Sequence, residues 1–166
     1  MQIDPETDVA GLLDRLMAAE LPERRGLDAW AALLEAHATL MRRLESDLEQ
    51  ETGLALADFD VLAQLAKAGG ELRMTELAAR ALISRSGMTR RVARLVDEGL
   101  VRRAGADADG RGVVVALTKA GIARLVETAP AHARGISKLF AAKLDDQELA
   151  VLERALGQVI VDCSFG

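Results

Sequence analysis

The chain has a single cysteine (Cys163), no tyrosine, one tryptophan and three phenylalanines among 166 residues. One thiol rules out an intrachain disulfide framework. So few rings argue against an aromatic stacking platform for single-stranded nucleic acid. No apolar run approaches the roughly 20 residues that a membrane helix needs. The amino end, MQIDPETDVA, is acidic where a secretory signal would be basic, so the expected location is the cytoplasm, with no membrane partner. Also missing are a glycine-rich phosphate loop, a G-x-S-x-G elbow, and His or Cys pairs at metal-ligand spacing. The carboxylates fall among helix caps and exposed faces, and none stands out as a general acid. The sequence therefore reads as a non-enzyme without cofactor or metal. Half of its residues are hydrophobic and 28% are charged, a balance that suits a folded domain.

Net positive charge is lacking too, the formal total being -5, yet the cations that exist are concentrated. Arg80 to Arg103 holds seven arginines (Arg80, Arg85, Arg90, Arg91, Arg94, Arg102, Arg103) and two acids (Asp97, Glu98), a local charge of +5 that leaves -10 for the remainder. With Ser84 as N-cap and a helix over 85–98 turning 100° per residue, Met88, Val92, Leu95 and Val96 share a core-facing side. Ser86, Arg90, Ala93, Arg94 and Asp97 fall opposite, with Thr89 on the flank. Gly99 stands where a left-handed C-cap is expected, and Leu100 can pack back on Leu95. The pattern predicts a helix seated by its apolar side, with Arg90 and Arg94 clear of the folded body. The acidic remainder would repel a polyanion from every other surface and so orient its approach.

The flanks supply a setting. ADFDVLAQLAKAGG (57–70) predicts a helix capped by Asp58, buried through Phe59, Leu62 and Leu65, and ended by Gly69 and Gly70. ELR (71–73) is a candidate edge strand, Thr75 a candidate cap for a short helix, and Leu82 and Ile83 a tight turn into the arginine helix. Beyond that helix, VRRAGADADGRGVVVALT changes period: Val113, Val114 and Val115 are β-branched, and Asp109-Gly110 signals a hairpin turn. Helix, turn, helix and hairpin together read as a winged helix-turn-helix. In that arrangement the second helix enters the major groove of double-stranded DNA, where arginine can donate two bonds to a guanine edge. Its amino end, at Ser84 and Gly87, would turn backbone N–H groups towards phosphate, and Arg111 on the wing would reach the neighbouring backbone or minor groove. The competing reading is a winged-helix protein-interaction module without DNA binding.

Longer helices lie on either side. LDAWAALLEAHATLMRRLESDLEQETG (27–53) repeats Trp30, Leu33, Leu34, His37, Leu40, Met41, Leu44 and Leu48 at spacings of three and four, with Asp28 as N-cap and Gly53 as stop. A helix of about 25 residues spans roughly 37 Å, more than a small domain needs to cover its core, and the excess points to a partner. Before it, Val9, Leu12, Leu13, Leu16 and Met17 mark an extra amphipathic helix closed by Pro22. After the hairpin, Thr118 caps a helical stretch carrying Pro130, which should kink it near Val126. The last helix opens on Asp145 and Glu148 as a capping box, with Leu144 and Leu149 as staple. Its apolar face is Leu149, Leu152, Leu156, Val159 and Ile160.

The stretch TELAARALISRSGMTRRVARLVDEGLVRRAGADADGRGVVVALTKAGIARL resembles the core of the MarR family of bacterial transcription regulators, DEGLVRR…D-G-R…V-x-LT-x-x-G being the most specific part. The resemblance runs from about Asp28 to near Ile160. It implies a mainly α fold with a small β-hairpin wing, a winged helix-turn-helix head joined to a helical dimerisation region. The implied division is an extra helix and linker (1–26), a dimerisation helix (27–53), the DNA-binding head (54–117) and C-terminal dimerisation helices (118–166). It further implies a homodimeric repressor on a palindromic operator, released by a small effector that in this family is often anionic and aromatic. Ser86, Thr89, Arg90 and Arg94 carry over as recognition-helix contacts, and Asp109 and Arg111 as the wing pair. A urate-responsive branch of the family adds an N-terminal helix and uses a tryptophan, which makes Trp30 a candidate effector contact; His37, on the apolar stripe of the long helix, is a candidate ligand or metal contact, and Met41 beside it a candidate effector contact. The plainer reading of Trp30 and His37 is core or dimer interface. Cys163 reads as an incidental or buried terminal thiol rather than a redox switch, and His132 has no second ligand at zinc spacing.

Overall fold

The computed structural model describes residues 11–12, 16–17, 24–81, 83–106 and 112–164. Leu12, Leu16 and Met17 are helical, while Val9, Leu13 and Pro22 lie outside the described residues. Helix α1 spans Arg24–Thr52 and stops at Gly53, whose φ of +68° lies in the left-handed region that glycine adopts without strain. Asp28 therefore sits inside α1 rather than capping it, because the helix already runs through the arginines before it. The chain divides into two compact units, Met1–Arg42 and Arg43–Gly166. Within the first, α1 leaves Trp30, Leu33, Leu34 and Met41 exposed.

In the second unit α2 (Leu56–Lys67), β1 (Glu71–Arg73), α3 (Met74–Arg80), α4 (Arg85–Asp97), β2 (Val101–Ala106), β3 (Val113–Leu117), α5 (Lys119–Leu139), a 3-10 turn (Ala141–Lys143) and α6 (Asp146–Ser164) follow in order. The strands form one antiparallel sheet in the order β1-β3-β2. ELR is the edge strand its sequence suggests, pairing Leu72 with Val115. The hairpin forms with Arg103 opposite Val115, then slips register before Ala106, where Gly105 takes a φ of +80°. A glycine inside a strand pattern is the usual mark of such a bulge. The hairpin tip, Asp109-Gly110, lies outside the described residues.

One core serves α2, α3, α4 and the sheet, with Ala131 of α5 at its margin. Val61, Leu62 and Leu65 of α2, Leu77 of α3, Met88, Val92 and Leu95 of α4, and Val101 and Val115 of the sheet are buried together, and Leu48 at the end of α1 joins them. Burying each such side chain stabilises by about 1.5–3 kcal/mol, so the head holds its own helices in register. Two expected caps fail. Asp58 lies within the first turn of α2, whose N-cap is Ala55. Thr75 lies within α3, whose N-cap is Arg73, because β1 runs straight into the helix and leaves no loop residue to cap it.

The LTKAG segment works as a joint. Thr118 caps α5 by accepting from the Gly121 N–H at 3.0 Å, and its hydroxyl lies 2.7 and 3.0 Å from the carbonyl oxygens of Gly99 and Leu100, to which it can donate. A Cβ on Gly121 would stand 2.0 Å from the Leu100 carbonyl oxygen, so only glycine lets α5 start this close to the end of α4. Helix α5 continues through Pro130. Val126, whose carbonyl loses its usual donor there, carries an exposed side chain. Asp145 and Glu148 form the expected reciprocal capping box, each backbone N–H bonded to the other's carboxylate at 2.9 and 2.8 Å. Among the described residues no helix is long and apolar enough to cross a membrane.

Candidate nucleic-acid interface

Helices α3 and α4 meet across a short turn in which the Ile83 N–H returns to the Ala78 carbonyl at 3.0 Å; Leu82 lies outside the described residues. Ser84 caps α4 as its sequence suggests, accepting from the Gly87 N–H at 3.2 Å. Gly87 is confined here, because a Cβ would sit 3.0 Å from both the Ser84 hydroxyl and the Ile83 side chain. The far end closes with Gly99 at φ +72°. The Gly99 N–H bonds the Val96 carbonyl and the Leu100 N–H bonds the Leu95 carbonyl, both at 2.9 Å, which is the Schellman pairing.

Between these caps Met88, Val92 and Leu95 are fully buried, and the opposite face is open to water. Ser84, Ser86, Thr89, Arg90 and Arg94 are exposed. The Thr89 hydroxyl donates to the Arg85 carbonyl at 2.9 Å, and the Ser84 and Ser86 hydroxyls lie 3.4 Å apart. The arginine-rich face thus has the position that a groove-reading helix requires. Arg102 and Arg103 on β2 are exposed too, extending the basic island onto the sheet. Asp109 and Arg111, the wing pair, lie outside the described residues.

Arg94 does not stand clear of the folded body: its Nη2 donates to Asp58 Oδ2 of α2, and its Nε lies 3.8 Å from Glu98. Arg91 Nη1 donates to the other oxygen of the same carboxylate at 2.6 Å. Asp58 is 6% exposed at its side chain, Arg91 26% and Arg94 52%. The bond to Asp58 holds the Arg94 guanidinium above its ordinary pKa, so it stays charged. A helical wheel places a Cα on a face but does not follow a long side chain that bends back along the surface. The clue to Asp58 is its register: it lies four and seven residues before Leu62 and Leu65, on the buried face of α2, where a carboxylate needs cationic partners.

The neighbouring residues of α2 face α5. The Phe59 and His132 rings are 4.5 Å apart at 45°, and the His132 Nδ1 is buried without a hydrogen-bond partner. Burial lowers the His132 pKa, with Asp60 pulling the other way. Burial likewise raises the Asp60 carboxyl, against the attraction of His132, Lys67 and Arg91. Among the described residues no group of three His, Cys, Asp or Glu could hold a metal. Trp30, at 55% exposure, His37 and Met41 are all surface residues in the single chain and not core. None of the three lines the cleft of about 460 Å³ between α1 and α5, which is bounded by Asp47, Gln50, Glu51, Arg134 and Lys138. Cys163 falls in α6, but its side chain lies outside the described set.

Comparison with known proteins places this architecture. A family model described as the MarR family matches residues 52–112, the stretch from the end of α1 to the hairpin. AbsC, a MarR family transcriptional regulator from Streptomyces coelicolor, is 29% identical with a TM-score of 0.77, over 84% of this chain and 95% of its own. Sco3205, a MarR family transcriptional regulator from the same organism solved in complex with DNA, is 30% identical with a TM-score of 0.73, over 86% of this chain and 87% of its own. Wild-type MarR from E. coli is 25% identical with a TM-score of 0.64, over 78% and 93%. Among curated proteins no sequence gives a significant match. With its winged head built around a capped, outward-facing arginine helix and matched along most of its length, the chain belongs to the MarR family of transcriptional regulators.

Proposed function

We infer that this regulator, a non-enzymatic DNA-binding protein like others of its family, reads a palindromic operator as a homodimer in the cytoplasm and represses from it until a small effector lowers its affinity. The carrying observation is helix α4: Met88, Val92 and Leu95 seat it on the core, and Ser86, Thr89, Arg90 and half-exposed Arg94 face outward. Its capped amino end, at Ser84 and Gly87, offers backbone N–H groups to a phosphate. Asp109 and Arg111 are the proposed wing contacts. The similar regulator Sco3205 forms a complex with DNA, which supports a duplex as the ligand here.

Dimerisation is supported by apolar surface that the single chain leaves open: Trp30, Leu33 and Leu34 on α1, Val126 on α5, and Val151, Val159 and Ile160 on α6. Two subunits would present two α4 helices to half-sites about 34 Å apart along one face of the duplex. Trp30, His37 and Met41 are proposed effector contacts, and an effector acts only by binding the operator-competent and incompetent spacings of the heads unequally. The test is selection of bound duplexes from a randomised pool, followed by a salt titration. An inverted repeat whose affinity falls steeply with salt supports the reading. Recovery of no preferred sequence overturns it.

A further inference from the structure

Both oxygens of the buried Asp58 carboxylate engage the arginine helix. Arg91 holds Oδ1 at 2.6 Å and Arg94 holds Oδ2. The two cations differ in what remains of them. Arg91 is the more withdrawn, 26% exposed at its side chain and with its Nε buried without a hydrogen-bond partner, so less of its charge reaches the surface. Arg94 is half exposed, restrained by its Nη2 bond to Asp58 and by Glu98 3.8 Å from its Nε, with further N–H groups left over. A guanidinium carries five donors in a rigid fork, so a carboxylate on one of them leaves enough for a base edge, which takes two. An unrestrained arginine loses much of its rotamer entropy when immobilised. A side chain already held by a buried anion has lost part of that before any duplex arrives, the general advantage of preorganisation.

We propose that Asp58 is a specificity-determining positioning residue: it presets the Arg94 guanidinium for a guanine edge while neutralising Arg91, so that the reading helix gains base discrimination rather than indiscriminate attraction for phosphate. This rests on α4 being the DNA-reading helix. Arg91 and Asp58 cancel one another in the field seen by the duplex, and Arg94 acts through its fork rather than through bare charge. Asp58 lies 36 residues from Arg94 in the chain and is itself buried.

The test uses the full chain, a duplex selected by the wild-type protein from a randomised pool, and a shuffled duplex of equal length at the same salt. Asp58→Asn removes the anchoring charge at constant volume. It should lower affinity for the selected duplex about tenfold and leave affinity for the shuffled one equal or higher, since the protein loses one negative charge beside the arginine helix. Combining Asp58→Asn with Arg94→Ala should cost no more than Arg94→Ala alone, because the effect passes through that side chain. A merely structural role would lower the melting temperature and leave the ratio of the two affinities where it was, and that result overturns the proposal. Tighter binding of the selected duplex by Asp58→Asn also overturns it, since the carboxylate would then be withholding Arg94. Should Asp58→Asn fail to fold, Asp58→Glu decides, because it keeps the carboxylate charge but moves it by one methylene, so that Arg94 stays paired yet is no longer held in the same place. Loss of most sequence preference supports the proposal, and full retention sinks it. If the wild-type chain prefers no sequence, the DNA-reading assignment fails first and this proposal with it; a wild-type preference that both variants keep sinks this proposal alone.

Discussion

Helices α4 and α6 are both amphipathic and both begin on a side-chain cap, yet they meet different ends. Helix α4 finds cover for its apolar side within the chain, with Met88, Val92 and Leu95 fully buried, and what it shows to water is polar and cationic. Helix α6 has an equally well-formed start in Asp145 and Glu148, but Val151, Val159 and Ile160 stay exposed, Val159 at 54%. The first helix is completed by its own domain and displays a polar, cationic surface. The second displays the kind of surface that proteins cover with another subunit. A sequence pattern can look the same in both cases, and what separates them is whether the chain supplies the opposing layer.

That contrast can be broken in graded ways. The largest effect should come from placing a charge on the open face. Val159→Asp would leave an uncompensated carboxylate in an apolar contact, and sedimentation should show the mass halved with the head still folded; an unchanged mass would mean that this face is not an interface. Next, Leu95→Ala should lose about 2–5 kcal/mol of unfolding free energy in urea without altering the sedimenting mass. A loss below about 1 kcal/mol would show that α4 is not seated by the core as described. Smaller again are the caps: Thr118→Ala and Asp145→Ala should each cost about 1 kcal/mol. Only the first should also weaken duplex binding, because Thr118 ties the start of α5 to the Gly99 and Leu100 carbonyls behind α4.

The smallest expected effect is a pH dependence centred on α2 and α5. Burial lowers the His132 pKa, so the unfolded chain takes up the proton at a higher pH than the folded one. The stability this residue contributes is therefore present above the ordinary imidazole value of about 6.5 and is lost as pH falls below it. Asp60 titrates in the opposite sense, its raised carboxyl favouring the folded state at acid pH and losing that contribution as pH rises through the carboxylate range. The two windows are separate. Melting temperature should drop between about pH 7 and pH 5.5, and His132→Phe should flatten the drop; an identical slope in that variant would place the titration elsewhere.

Much of the head is legible in the sequence because its signals are local. The Ser84 cap, the core stripe of α4, the Gly99 turn with Leu100, the Thr118 cap, the Asp145 and Glu148 box and the edge strand at 71–73 each depend on residues within a few positions of one another. The departures share a cause. Asp58 suits an N-cap by residue type, but its partners lie 33 and 36 residues downstream, and no helical wheel of α2 or α4 alone contains that pairing. The same wheel sends Arg94 to open water, because it holds no Asp58. Thr75 and Asp28 are good cap residues that neighbouring structure passes over, β1 feeding α3 directly and α1 beginning before Asp28. Gly105 is readable as a bulge in principle, since glycine inside a strand pattern seldom has another use.

If the open face of α4 reads bases, it does so through its arginines. Arg90 tests it most directly, because it is exposed on that face and lies clear of the Asp58 clamp. Measured on the duplex that wild-type protein selects from a random pool, Arg90→Ala should lose about 1–3 kcal/mol of binding free energy and relax preference at one base pair of each half-site. Affinity and preference both unchanged would contradict the account.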